Sequence, residues 1–272
     1  MKLILIYQPA DADKNIEYIE LYKNECKRRG LEFSLIITGA PGCGVTYFNE
    51  HYGDLKGFPS DTVFINRSRD AALTRHLETA GFMVYNNSLI AELGNDKLKA
   101  IRYMEEAGIP VMKSYSAPPS SYPFVLKTVD GHGGNEVFLI RNGEELSAAS
   151  ALLNGRQVLY QEFCDTPGRD KRVYIVGNQV TACMLRTSSN DFRSNYSLGG
   201  NAEISGLTPD EADIVKKLLS RLSIGHAGID LIYHKGKPVF NELEDVVGSR
   251  MLYRYTDIDV VKLFMDHICD NL

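Results

Sequence analysis

The chain has 272 residues, enough for a large core and two or three subdomains. Its 44% hydrophobic and 24% charged residues are those of a soluble globular protein, and a net charge of -5 argues against a general nucleic-acid binder. The five cysteines (Cys26, Cys43, Cys164, Cys183, Cys269) are scattered, form no CxxC or Cys/His cluster for zinc, and fit free thiols in a reducing cytosol.

Residues 2–7, KLILIY, read as a first buried strand. The run is too short for a signal-peptide core, and no apolar run approaches a membrane span. A helix is predicted over 15–29 from Ile16, Ile19, Leu21, Tyr22 and Cys26, with Gly30 as its stop. Strands follow at 33–37 and 61–66, a helix at 68–80 ended by Gly81, and a strand at 82–85. This alternation predicts a small parallel α/β domain over residues 1–90. Between the second and third strands, Gly39, Gly44 and Thr46 mimic a P-loop, but Val45 occupies the lysine position, so the stretch reads as a glycine-rich surface loop near a substrate entrance.

Residues 95–108 form a helix with Asn95 or Asp96 as N-cap and Gly108 as C-cap. Lys97 lies in its first turn, where a cation gains nothing from the helix dipole. The strand 124–129 carries Lys127 in its middle, and lysine is rarely buried without an anionic partner. Asp130-Gly-His-Gly-Gly134 leads into a strand at 137–140. A glycine hairpin with free N–H groups beside a lysine suits a cover for polyphosphate. His132 within it reads as exposed.

A helix at 144–153, a strand at 157–163 and a hairpin of 170–176 with 179–186 come next, Lys171, Arg172 and Arg186 bringing positive charge near the hairpin ends. Residues 188–203 show no periodicity and read as a long, lid-like loop. Residues 208–222 form an amphipathic helix with Thr208 as N-cap and Glu211 at the capping-box position. His226, just beyond, reads as a packed residue.

The next hairpin pairs 229–233 with 239–243 around Lys235-Gly236-Lys237. Strict alternation puts Phe240, Glu242 and Glu244 on one face and Asn241 and Leu243 on the other, with Asp230 of the partner strand reaching the same acidic patch. Three carboxylates this close repel one another unless a cation sits between them, and hard oxygen ligands suit Mg²⁺ or Mn²⁺. Solvated acidic decoration is the other reading of the patch. Arg250 and Arg254 follow, facing either substrate or surface partners, and 257–271 closes the chain as a helix.

The order of these pieces resembles the ATP-grasp superfamily, closest to RimK-type carboxylate–amine ligases, over about residues 90–270. The resemblance implies an N-terminal parallel α/β domain (1–90) and two α+β subdomains (91–160 and 161–272) that clasp ATP. By the same resemblance Lys97 and Lys127 are nucleotide lysines, and Gly131, Gly133 and Gly134 belong to the mobile phosphate loop. Gln161, Glu162 and Phe163 form the adenine and ribose hinge. Asp170 and Arg172 make the Asp-x-Arg of the nucleotide and substrate region, Arg186 grips phosphoryl oxygens, and Asn195 belongs to the Asp-Phe-Arg-Ser-Asn run. Asp230, Glu242 and Glu244 are the metal ligands; the family normally has Asn at the third, followed by Ser-Pro-Gly rather than Val246-Val247-Gly248.

The activity implied is ATP-dependent formation of an amide bond through an acyl phosphate, with Lys127, Arg172 and Arg186 as catalytic charges, ATP and Mg²⁺ or Mn²⁺ as cofactors, and a carboxylate and an amine as substrates. Arg172, Arg193 and the 188–200 loop suggest an anionic, glutamate-like acceptor. Neither nucleic acid nor membrane is an expected partner, and the expected compartment is the cytoplasm. A carboxylate kinase and a nucleotide sensor without turnover are the alternatives.

Overall fold

The computed structural model describes residues 1–39, 57–194 and 199–272. Three sheets organise it. The first is built from β1 (Lys2–Tyr7), β2 (Glu32–Ile37), β3 (Thr62–Asn66) and β4 (Met83–Tyr85), all parallel, in the order 2-1-3-4. Helices α1 (Pro9–Lys14) and α2 (Ile16–Arg29) connect β1 to β2, and α3 (Ala71–Thr79) connects β3 to β4. Leu3, Leu5 and Tyr7 pack with Ile19, Tyr22 and Cys26 of α2 on one face, while Ile4 and Ile6 pack with Leu73 and Leu77 of α3 on the other. A strand buried on both faces reads as a continuous apolar run, and β1 is one.

The sequence places the start of α3 three residues early. Ser68 donates to the Asn66 side chain from its amide and hydroxyl, holding 67–70 as a turn, and the helix begins only after Asp70 caps Leu73 N at 2.9 Å. Three helices go unpredicted: α1, α4 (Ser88–Asn95) and α8 (Arg250–Tyr255). Gly94 is where α4 touches the Asp245 backbone; a Cβ there would lie 2.5 Å from Asp245 Cβ.

The second sheet has order β5 (Ser114–Tyr115), β8 (Val158–Glu162), β6 (Phe124–Thr128), β7 (Val137–Ile140). Phe124 and Leu126 pack on Ala149 and Leu153 of α6 (Gly143–Leu153), which leaves Val125 and Lys127 on the opposite face. The third sheet runs β11 (Asn201–Ile204), β10 (Gln179–Thr187), β9 (Arg169–Val176), β12 (His226–His234), β13 (Lys237–Glu244). Its edge strand β11 falls in the stretch read as loop; the strand is short and mostly exposed, so alternation leaves little trace there.

Along β9, Val173 and Ile175 join a core with α5 (Lys97–Glu106) and α7 (Pro209–Leu219), whereas Tyr174 and Val176 face the first sheet and α9 (Val260–Asp270). Thr208 and Glu211 form the expected capping box of α7. The short helix α8 (Arg250–Tyr255) precedes α9. α4 and α5 share the core of the third sheet through Ile90, Leu93, Ala100 and Met104, so residues 91–106 pack with that sheet rather than with the sheet of 114–162. Among the described residues no helix is long and apolar enough to cross a membrane.

His226 is buried as expected, its Nδ1 3.0 Å from Ile175 O, and burial pulls its pKa down to about 4. Between about pH 6.5 and 4 the unfolded chain binds a proton that the folded one refuses, so stability is full above that window and falls as pH falls through it, by about 1.4 kcal/mol per unit. In urea unfolding, the stability lost between pH 7 and 4.5 is expected to be ~2–3 kcal/mol smaller in His226→Asn than in wild type. An unchanged loss would place the proton elsewhere.

Candidate active site

Strand register assembles the charged centre. Antiparallel pairing puts Asp170 opposite Arg186, Arg172 opposite Asp230, and Asp230 opposite Glu242. Arg186 grips Asp170 through two bonds, from Nε at 2.6 Å and Nη2 at 2.5 Å, and Nη2 reaches Asp230 at 2.7 Å. Arg172 grips Asp230 from Nε at 2.8 Å and Nη2 at 2.7 Å, and the same Nη2 reaches Glu244 at 2.5 Å. These are planar, charge-assisted bonds of the strong kind. Asp230 is 3% exposed; burial alone would raise its pKa, but the two guanidiniums win and hold it at about 2. Glu244 goes the other way: burial, with Asp230 and Glu242 beside it, holds its carboxyl above the usual range despite Arg172. Lys171, the neighbour of Arg172, points to the far face and pairs with Glu211 at 2.7 Å, so it does not add charge here.

Alternation on β13 breaks at this point. A bulge between the Asp230–Glu242 and Leu231–Phe240 pairs leaves Asn241 extra. Phe240 is therefore buried in the core with Leu243, and Asn241 turns toward the cleft beside Glu242, the reverse of the simple period-two expectation.

Facing this sheet across a cavity are Lys127 and Lys97. Lys127 is 5% exposed, and its three N–H donors meet only one partner among the described residues, Asn241 Oδ1 at 3.4 Å. Burial pulls its pKa down to about 8, with Glu242 opposing and Lys97 adding to the fall. Lys97 follows its N-cap, Asp96, and its Nζ donates to Gly131 O and lies 3.1 Å from Glu242 Oε1. The cation that the helix dipole disfavours is thus held by tertiary partners. At Gly131 a Cβ would clash with Thr128 Oγ1 and crowd the Glu136 carboxylate, so those side chains would have to move; Gly133 and Gly134 have φ of 70° and 78°. Arg193 joins the 188–203 stretch to this loop by donating to Gly134 O at 2.6 Å.

Gln161, Glu162, Phe163 and Asp170 line the same cavity as the two lysines, the three loop glycines, Asn241 and Glu242. Asn195 lies outside the described residues, as does most of the Gly39–Thr46 stretch.

A second cavity of about 410 Å³ lies between the first sheet and the carboxylates, lined by Arg67, Arg69, Arg172, Arg186, Glu244 and Arg250 among others. Gly133 lines both cavities, so the glycine loop stands where they meet. His132 also lines the second cavity. It is half-buried rather than exposed, and burial, with Arg69 and Lys97 nearby, holds its pKa at about 4. Arg193 lines the first cavity, Arg250 lines the second, and Arg254 lies over the Tyr255 ring. Arg67 and Arg69 were not foreseen; the available signal was their position just beyond a parallel strand.

Oxygens of Asp230, Glu242 and Glu244 lie within 4.8 Å of one another. Among Lys97, Lys127, Arg172, Arg186 and the four carboxylates they face, charge is balanced. A polyphosphate would upset that balance, and an all-oxygen donor set fits Mg²⁺ or Mn²⁺ as the compensating ion.

Comparison with known proteins gives the family. A family model for the RimK-like ATP-grasp domain matches residues 93–268. The chain is 27% identical over 257 residues to an uncharacterized MG011 homolog of Mycoplasma pneumoniae, covering 92% of this chain and 86% of that one. It is 27% identical over 215 residues to a probable alpha-L-glutamate ligase of Coxiella burnetii, covering 74% and 71%. Its fold matches the crystal structure of a RimK domain ATP-grasp protein from Sphaerobacter thermophilus with a TM-score of 0.69 at 19% identity, over 98% of this chain and 99% of that one. With the family model covering well over half its length, the chain belongs to the RimK-like ATP-grasp family.

Proposed function

We propose that the protein is an ATP-dependent carboxylate–amine ligase with an amino acid as one substrate. The observation that carries this reading is the junction of the two cavities at Gly133, beside two lysines, two arginines and the carboxylate cluster. ATP occupies the first cavity, its base and ribose against Gln161, Glu162 and Phe163 and its phosphates under the glycine loop, with Lys97 and Lys127 donating to them. A substrate carboxylate entering from the second cavity attacks the γ-phosphorus, and ADP leaves. Arg186 and Arg172 are placed to steady the phosphoryl and acyl oxygens as charge moves. The amine then attacks the acyl carbon, loses a proton, and expels phosphate. Mg²⁺ or Mn²⁺ held by Asp230, Glu242 and Glu244 would neutralise phosphate charge. No side chain need form a covalent intermediate. The probable alpha-L-glutamate ligase relative and the cations of the second cavity support a glutamate-like substrate.

The test is ADP and phosphate release from ATP and Mg²⁺ with L-glutamate and pooled amino acids and peptides, with mass spectrometry of the products. The expected result is release that needs both a carboxylate and an amine, a product mass equal to their sum less water, and at least about 10²-fold less turnover in Glu242→Gln. Release that needs the carboxylate alone would make the protein a carboxylate kinase. Tight ATP binding without turnover would leave a sensor.

A further inference from the structure

Arg67, on the wall of the second cavity, takes no part in the steps above. Arg67 directly follows β3 and donates its amide to Ile6 O at 2.8 Å, which sets it beside Tyr7, the last residue of β1. Winding reverses between these two strands: α2 covers one face of the sheet and α3 the other. The crevice outside the carboxyl ends of strands at such a reversal is where open α/β sheets take ligands.

Arg67 is 6% exposed, yet it pairs with no carboxylate among the described residues. Nη2 donates to Val247 O at 3.1 Å, and Cζ lies 4.9 Å from the Tyr18 ring centroid and 5.6 Å from that of Tyr7. Nε has no hydrogen-bond partner. Asp245 is near enough to feel the charge, but its carboxylate accepts from Asn86 at 2.8 Å and Asn95 at 3.3 Å. A buried guanidinium without an anion is costly. Arg172 and Arg186, equally buried, each hold a carboxylate through two bonds. Arg69, on the same wall, is taken by Asp11. Of the buried arginines on this wall, Arg67 alone among the described residues holds no carboxylate; Arg250, which has none either, is exposed.

We infer that Arg67 is a specificity residue that binds an unreacted carboxylate of the substrate in the second cavity, so that this substrate is an amino acid or peptide with a free carboxylate. Naming the bound molecule a substrate rests on the ligase reading; the carboxylate site itself does not. The planar fork of the guanidinium matches a carboxylate, and a lysine would supply charge without that match.

The experiment is calorimetric binding of L-glutamate to the full chain with Mg²⁺ and a non-hydrolysable ATP analogue, against L-glutamine and isoglutamine, each of which lacks one of the two carboxylates. Wild type is expected to prefer glutamate to at least one amide by about 30-fold or more, because the site's buried donor is left unpaired by the wrong ligand. In Arg67→Gln that preference is expected to fall to within about threefold, with Arg67→Lys between the two. Loss of affinity for all three ligands with the preference intact would give Arg67 a structural role and overturn the inference. So would equal binding of the three by wild type, or no binding of glutamate. If the preference collapses as expected while no amine-dependent ADP forms, the carboxylate site stands and the ligase reading falls.

Discussion

Replacing Lys127 with methionine is expected to lower kcat/KM for ATP about 10³-fold, ~4 kcal/mol of lost stabilisation, while leaving the protein at least as stable as wild type. The two halves of this expectation share a cause. The Lys127 ammonium sits on the cleft face of β6 at 5% exposure with a single long contact to Asn241, and burial has already pulled its pKa down to about 8. Such a group costs the fold stability by itself and becomes useful when an anion arrives. Methionine keeps most of the volume and removes the charge, so thermal unfolding without nucleotide is expected at an equal or higher temperature. A large fall in unfolding temperature, or ATP turnover within threefold of wild type, would show that the ammonium is held for packing instead of phosphate.

Lys127 was legible in the sequence for the same reason that it is costly: a lysine inside an apolar strand contradicts its surroundings. Asp230, Glu242 and Glu244 were legible because a short turn at Gly236 pairs their strands; the turn is tighter than the three residues read from the sequence, since Lys237 already belongs to β13 and only Lys235 and Gly236 take positive φ. Asn241 was not, because an inserted residue reverses a period-two pattern without changing composition. The grip of Arg172 on Asp230 joins residues 58 apart through β9–β12 pairing, which no local pattern encodes. Arg67 and Arg69 drew no reading from the sequence, since nothing local shows that the first sheet packs its strand ends against the carboxylates. The helix at 88–95 went unread, and its Gly94 serves contact with Asp245.

Arg172→Met is expected to destabilise the protein by about 3–5 kcal/mol, a fall of about 10 °C in unfolding temperature. Asp230 would keep only the single bond from Arg186, and Glu244 would lose its guanidinium while both remain beside Glu242. Two signatures distinguish this from simple loss of packing. In wild type, the depressed Asp230 pKa of about 2 contributes stability above the ordinary carboxylate range that is lost as pH falls toward 2. In the variant the orphaned carboxylates take up protons in the folded state at higher pH than in the unfolded one, so lowering pH from 7 to 5 is expected to narrow the gap to wild type. Added Mg²⁺ is also expected to raise the variant's unfolding temperature more than that of wild type, since the freed oxygens gain a cation in place of the guanidinium. Equal responses to Mg²⁺, with a gap that does not change with pH, would mean that Arg172 stabilises the sheet by packing alone and that the carboxylates it grips do not form a cation site.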